Sequence, residues 1–317
     1  MNPHPSLSAQ FEPPQPLAPV RKMDNPYVPC WCGSGKKWKW CHKDRENQQP
    51  GHTGAHAHDM RTEFANGAYC SHPEASHKTC GERIVRAHTI QRKGGLAAIT
   101  ENGHVISVKA GFEDIFKNEG EIVPRAISAR DASTFTGFCD RHDNEMFKPV
   151  ETGEPVLNEE AAFLLSFRAL AYELFMKQSA LRCIPIQREN DKGKPFDAQC
   201  FIQQHIHAYE HGLKRGLDDV TRWKSEYDVA FVDKRFDSFR FYSVAFSEVL
   251  PVVACGAFHP EFDFNSHPLQ QLGRGEAPFG HLTYNLTDEC QHIANGIMCH
   301  NIANTFCIGS KQCIGMR

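Results

Sequence analysis

The segment CWCGSGKKWKWCHK, running from Cys30 to Lys43, constrains the fold of this chain more than any other feature. Cys30 and Cys32 are separated by one residue, and Cys41 and His42 are adjacent. So short a stretch buries too little apolar surface to hold a shape by itself. Three thiols and an imidazole are the donors that tetrahedral zinc prefers, and ligation supplies the missing folding energy. Gly33 and Gly35 let the backbone reverse between the ligand pairs. A shell filled by Cys30, Cys32, Cys41 and His42 leaves no open position, so the ion is expected to be structural Zn2+ rather than catalytic.

The remaining sequence fits a reduced environment. Its opening residues lack a secretory signal and no apolar run is long enough to span a membrane, so a cytoplasmic protein with no membrane partner is expected. Thirteen cysteines then read as metal ligands and buried thiols rather than a disulfide framework. A net charge of -3 excludes binding of nucleic acid by bulk electrostatics and leaves that role to local patches.

The sequence divides into five stretches. Residues 1–29 are Pro-rich and read as a flexible leader, with Met23 a candidate translation start immediately ahead of the cysteine motif. Residues 30–45 form the knuckle. Residues 46–63, polar and without apolar periodicity, read as a linker in which His52, His56 and His58 are solvated. Residues 64–157 hold Cys70, Cys80, Cys139 and His142, a second zinc set in which His72 competes as a ligand, together with the strand-like RIVRAHTI and HVISVKAGF.

Residues 158–317 read as a helix-plus-antiparallel-sheet region. Asn158 caps a helix with Glu159 and Glu160 in its first turn and Phe163, Leu164, Phe167, Leu170, Leu174 and Phe175 on one face. A second helix carries Ile202, Ile206, Tyr209, Leu213, Leu217, Val220 and Trp223. FRFYSVAF, LPVVACGAF and HLTYNL read as short strands, and the fold class expected is α+β. From Cys290 the cysteine-rich tail shows no clean period, and Cys290, His292, Cys299 and His300 form a weakly spaced candidate metal set.

Two family resemblances attach to these residues. Cys30-Trp31-Cys32-Gly33-Ser34-Gly35-Lys36-Lys37 with Cys41-His42 resembles the SEC-C zinc-binding motif, over this short segment only. That resemblance implies an attachment module. Lys36, Lys37, Lys39, Lys43 and Arg45, interleaved with Trp31, Trp38 and Trp40, would face an acidic protein partner or nucleic acid; alternatively the tryptophans merely pack over the knuckle.

The second Cys/His region resembles the ββα-metal architecture of HNH endonucleases. Ala87-His88-Thr89-Ile90 with Gly94-Gly95 matches one element and Cys139-Asp140-Arg141-His142-Asp143 the other, although Ala87 stands where the family has an acid. The resemblance implies His88 as the base that deprotonates water, Asp143 as a ligand to catalytic Mg2+ or Mn2+, and Arg86, Arg92 or Lys93 as backbone anchors. Asn144 is the nearest asparagine to the family's own. The function expected is thus a zinc-binding protein with an HNH-like nucleic-acid phosphodiesterase module, or else a non-catalytic zinc adaptor that docks protein partners. HAYEH, from His207 to His211, also fits the H-x-x-E-H string of inverted zinc peptidases, with Glu276 a distant candidate carboxylate.

Overall fold

The structure is a computed structural model, and it describes residues 14–108, 118, 121–151, 158–245, 251–258, 282–290 and 293–300. In chain order the elements are α1 (Thr53–Ala65), β1 (Ile84–His88), α2 (Gly95–Ala98), β2 (His104–Ser107), β3 (Arg125–Ser128), β4 (Thr134–Cys139), α3 (Asp140–Glu151), α4 (Glu159–Gln187), α5 (Phe196–Val232), β5 (Arg240–Ala245), β6 (Ala254–Phe258), β7 (Leu282–Cys290) and β8 (Ile293–His300). Every strand pairing is antiparallel, which makes the architecture α+β as the sequence implied.

Helix α4 organises the packing. The Asn158 side chain caps it by accepting from Ala161 N at 2.8 Å, and every residue from Ala161 to Ala171 is buried. A helix apolar on all sides has to be covered on all sides. Phe135 and Phe138 of β4, Phe147 of α3, Tyr227 of α5 and Phe239 supply the cover, with Phe138 edge-on to Phe147 at 5.2 Å and Phe163 stacked on Tyr227 at 5.2 Å. Helices α4 and α5 contain 29 and 37 residues and are joined by a short elbow that includes a 3-10 turn at Arg188–Asp191. Gly193, at φ +71°, closes that elbow where a Cβ would meet Gln48 O at 2.7 Å.

Three expectations change. The stretch expected to be a linker contains α1, because Ala57 and Met60 bury one face against α4 while the Cys183 thiol donates to Met60 O at 3.5 Å. Its histidines dilute the apolar period, so the helix is stabilised by docking rather than by its own pattern. The expected flexible leader lies outside the described residues up to residue 13, but beyond that Leu17 N donates to Gln204 Oε1 at 2.9 Å and Arg21 sits 4.7 Å over the Phe196 ring.

The cysteine-rich tail contributes β8, an inner strand of the sheet ordered β5-β8-β7-β6. Cys290 pairs with Ile293 and Cys299 with Thr283, so register places the two cysteine positions about 20 Å apart along the hairpin. That spacing separates the candidate tail ligands, and His292 lies outside the described residues.

The apolar stripe of α5 also runs differently from the one the sequence suggested. Ile206, Val220 and Trp223 are buried, but Tyr209 is 43% exposed and the stripe begins at the polar Gln199 and Gln203. The first half of α5 meets the knuckle and elbow, where hydrogen bonds of Gln203 join apolar contacts of Phe196 and Cys200 with the knuckle cluster.

Met60→Ala is expected to lower unfolding free energy by about 2–5 kcal/mol and to accelerate amide exchange across α1 while α4 stays protected. Urea titration combined with hydrogen exchange checks this; unchanged exchange in α1 would mean another contact holds it.

Candidate metal centres and the adjoining polar site

The ligand atoms of Cys30, Cys32, Cys41 and His42 all lie within 4.8 Å of one another, and all four residues are buried. Zinc–sulfur bonds of about 2.3 Å and zinc–nitrogen bonds of about 2.0–2.1 Å imply tetrahedral edges near 3.8 Å and 3.6 Å. Here Cys32 Sγ and Cys41 Sγ are 3.6 Å apart, and His42 Nδ1 lies 3.3 Å from Cys30 Sγ and 3.2 Å from Cys41 Sγ. The donor set therefore fits zinc. Gly33 at φ +77° and Gly35 at φ +72° make the reversal that brings the pairs together. Hydrogen bonds to Cys32 and Cys41, with burial, push the Cys30 thiol far up, whereas those from Cys30 and Cys41 drive Cys32 far down. Three crowded sulfurs cannot all ionise on their own, and a bound cation is what would let them do so.

What fixes this knuckle in place lies far away in sequence. His42 Nε2 meets Asp191 Oδ2 at 2.8 Å, and the same carboxylate accepts from Arg45 Nε at 2.7 Å and from Gln203 Nε2 at 2.7 Å. Arg188 Nη1 donates to Cys32 O at 2.7 Å and to Gln203 Oε1 at 2.8 Å. A carboxylate behind a metal-bound histidine fixes the ring and its tautomer. Arg45 is consequently buried at 4% exposure, not offered to a partner, and Trp31 and Trp38 are buried as well. Lys36 pairs with Glu189 at 3.0 Å. Only Trp40, at 71% exposure, faces solvent among the knuckle tryptophans, with Lys39 Nζ 4.2 Å over its ring and 4.1 Å over that of exposed Tyr27.

Cys70, Cys80, Cys139 and His142 form the second set, again within 4.8 Å. His142 Nδ1 lies 3.3 Å from Cys70 Sγ, 3.8 Å from Cys80 Sγ and 3.3 Å from Cys139 Sγ. Cys139 ends β4 and caps α3, accepting from Gly81 N at 3.2 Å and His142 N at 3.4 Å. His72 is stacked flat on the His142 ring at 3.9 Å instead of joining the donors.

Asp143 is the chain neighbour of His142 in this cluster, and His88 ends the strand that pairs with the one carrying Cys139. His88 closes β1, opposite Thr134 of β4, and Asp143 lies in the first turn of α3. The His88 ring hydrogen-bonds to the Ala129 backbone, and its Nε2 is buried without a partner among the described residues. Burial lowers the His88 pKa and pushes that of Asp143 up to about 6. Both groups lie within electrostatic reach of Arg168 and Glu151. Asp143 Oδ1 and Arg168 Nε and Nη1 are likewise buried with no partner among the described residues. Nothing in local spacing pointed to Arg168; its one signal was a lone cation inside an apolar run.

The remaining candidates disperse. Glu210 of HAYEH accepts from Arg188 Nη2 at 2.6 Å and Lys214 Nζ at 2.6 Å, and among the described residues neither His207 nor His211 belongs to a metal cluster. Glu276 lies outside the described residues. Arg86 is committed to Asp131 at 2.7 Å, whereas Arg92 and Lys93 are exposed.

Residues 28–44 match the SEC-C motif family model. No curated protein and no solved structure matches the chain. Among the described residues, no helix is long and apolar enough to cross a membrane.

Asp191→Asn is expected to weaken zinc binding about 10–100-fold at the first centre and to leave the second unchanged. Competition with a chromophoric chelator resolves the two releases; identical curves for variant and wild type would remove Asp191 from the metal's support.

Proposed function

We propose that the protein is a zinc-braced phosphodiesterase that hydrolyses nucleic acid at the His88–Asp143 site. The observation that carries this reading is that His88, at the end of β1, and Asp143, in the first turn of the helix after β4, both lie within electrostatic reach of Arg168 and Glu151, with Asp143 the chain neighbour of a Cys3His cluster. The element order agrees with the ββα resemblance: β1 pairs with β4, and α3 follows β4 without a loop.

The residues suit their roles. A hydrogen bond to the Ala129 backbone leaves His88 Nε2 facing inward to take a proton from an attacking water. The water oxygen then bonds to phosphorus as the bond to the leaving oxygen breaks. Arg92 and Lys93 are the exposed cations of this region that would hold the flanking phosphates. Mg2+ or Mn2+, when bound, supplies positive charge at the scissile phosphate. Such ions are held by one or two carboxylates plus substrate phosphate, and Asp143, with an unpartnered Oδ1, meets that minimum while buried Ala87 contributes none.

A non-catalytic zinc adaptor is the second reading, favoured by one observation. Trp40, Tyr27 and Lys39 form a solvent-facing cation–aromatic patch on a knuckle that is otherwise fixed to the helical elbow. Such a patch suits an acidic protein segment as well as single-stranded nucleic acid.

Incubation of zinc-loaded protein with single- and double-stranded DNA and RNA plus Mg2+ or Mn2+ tests the choice. Cleavage is expected, with His88→Ala reducing it about 10²–10⁴-fold at unchanged zinc content. Absence of cleavage on all four substrates would leave the adaptor.

A further inference from the structure

We infer that Arg168 is an oxyanion-binding residue of the His88–Asp143 site, placed to hold a phosphate-class ligand from beneath. The inference rests on the proposed phosphodiesterase reading and adds to it a residue from outside the ββα unit.

Arg168 is 1% exposed and lies in the middle of the fully buried run of α4. A guanidinium never loses its charge in a protein, so its burial is costly unless its N–H groups are filled. Arg168 Nη2 donates to Glu151 Oε1 at 2.5 Å, but Nε and Nη1 have no partner among the described residues. Phe147 packs flat at 3.9 Å from the guanidinium carbon, which holds the group in place without satisfying any donor.

The unfilled donors are not isolated. His88 Nε2, Asp143 Oδ1, Arg168 Nε and Arg168 Nη1 come from β1, α3 and α4, and all four are buried without partners among the described residues. Buried polar atoms are nearly always paired, so four unfilled ones on elements that pack together point to a ligand that completes them. Arg168 also lies within electrostatic reach of both His88 and Asp143. A tetrahedral oxyanion offers acceptors to the guanidinium, while the unpartnered carboxylate oxygen beside it calls for a cation.

Charge counting sets the condition for binding. Immediately around the guanidinium, Arg168 against the two carboxylates of Glu151 and Asp143 leaves one negative charge in excess, which repels an anion, while exposed Arg92 acts on His88 but not on Asp143. Asp143→Asn removes that excess, and a divalent cation at Asp143 reverses it. Phosphate binding is therefore expected to be weak in zinc-loaded wild type without Mg2+ and stronger once Mg2+ is added.

The experiment is titration of zinc-loaded protein with inorganic phosphate, followed by calorimetry, with no nucleic acid present. Without Mg2+, Asp143→Asn is expected to bind phosphate about tenfold or more tightly than wild type. The double variant Asp143→Asn, Arg168→Gln is expected to lose that binding, with zinc content and thermal midpoint reporting that it still folds. Arg168→Lys in the Asp143→Asn background supplies a charged, folding-tolerant check and is expected to recover part of the binding. Equal phosphate affinity in Asp143→Asn and in the double variant would overturn the proposal, as would no gain over wild type. Phosphate binding that follows the expected pattern in a protein without nuclease activity would uphold the site and reject the phosphodiesterase reading; cleavage alongside Arg168-independent phosphate binding would do the reverse.

Discussion

The first half of α4 cannot be exposed to water on any side, and the rest of the fold follows from that constraint. Its buried run from Ala161 to Ala171 requires cover from several directions at once. The covering pieces are mostly small: a short helix at Thr53–Ala65, a two-stranded pair, a helix at Asp140–Glu151, and the sheet that follows α5. They become stable by being pressed against α4, much as an amphipathic helix gains most of its stability from tertiary packing rather than propensity.

The two Cys/His clusters, which could hold zinc, sit where packing alone is insufficient. Cys70 and Cys80 lie in irregular chain before β1, tied to β4 by the Tyr69 N–Thr136 O and Ser71 N–Gly137 O hydrogen bonds, and a metal held with Cys139 and His142 would add a tie to the start of α3. The knuckle is tied twice, internally by its own ligands and externally by the Asp191 carboxylate behind His42. Buried ion pairs are costly when half-satisfied, but here Asp191 accepts from His42, Arg45 and Gln203 together. The polar start of the α5 stripe is thereby explained: Gln203 is buried to serve a carboxylate that in turn serves a metal ligand.

How much of this the sequence disclosed depended on how local the determining contacts are. Cys30, Cys32, Cys41 and His42 were legible because spacing alone places four donors together, and the Asn158 cap was legible because it acts on the next turn. The second ligand set was readable only as two pairs whose union a fold must supply. Helix α1 was missed because His56 and His58 interrupt the period that Ala57 and Met60 carry. Strand β8 was missed because nothing in its residues signals that it is central; its place is set by pairing with β5 and β7. Asp191 and Arg168 carried the weakest signals, since each matters through a partner more than a dozen residues away, His42 in one case and Glu151 in the other.

The geometry of the second centre links structural zinc to the candidate chemistry. Cys139 pairs with Ile84 across the β1–β4 ladder and belongs to the Cys3His cluster, so the strand that ends in His88 is registered against a candidate metal ligand. His142 belongs to the same cluster and Asp143 is its neighbour, so an ion held there would fix the first turn of α3. Arg168 approaches from α4, whose position is set by the aromatic contacts of Phe138 and Phe147 with that same unit. Three polar groups from three elements are thus held without loops intervening between them and their supports. Reacting groups need placement to within about 0.5 Å, a tolerance that a short strand pair could not keep by hydrogen bonds alone. A closed zinc shell can do so while taking no part in the reaction itself.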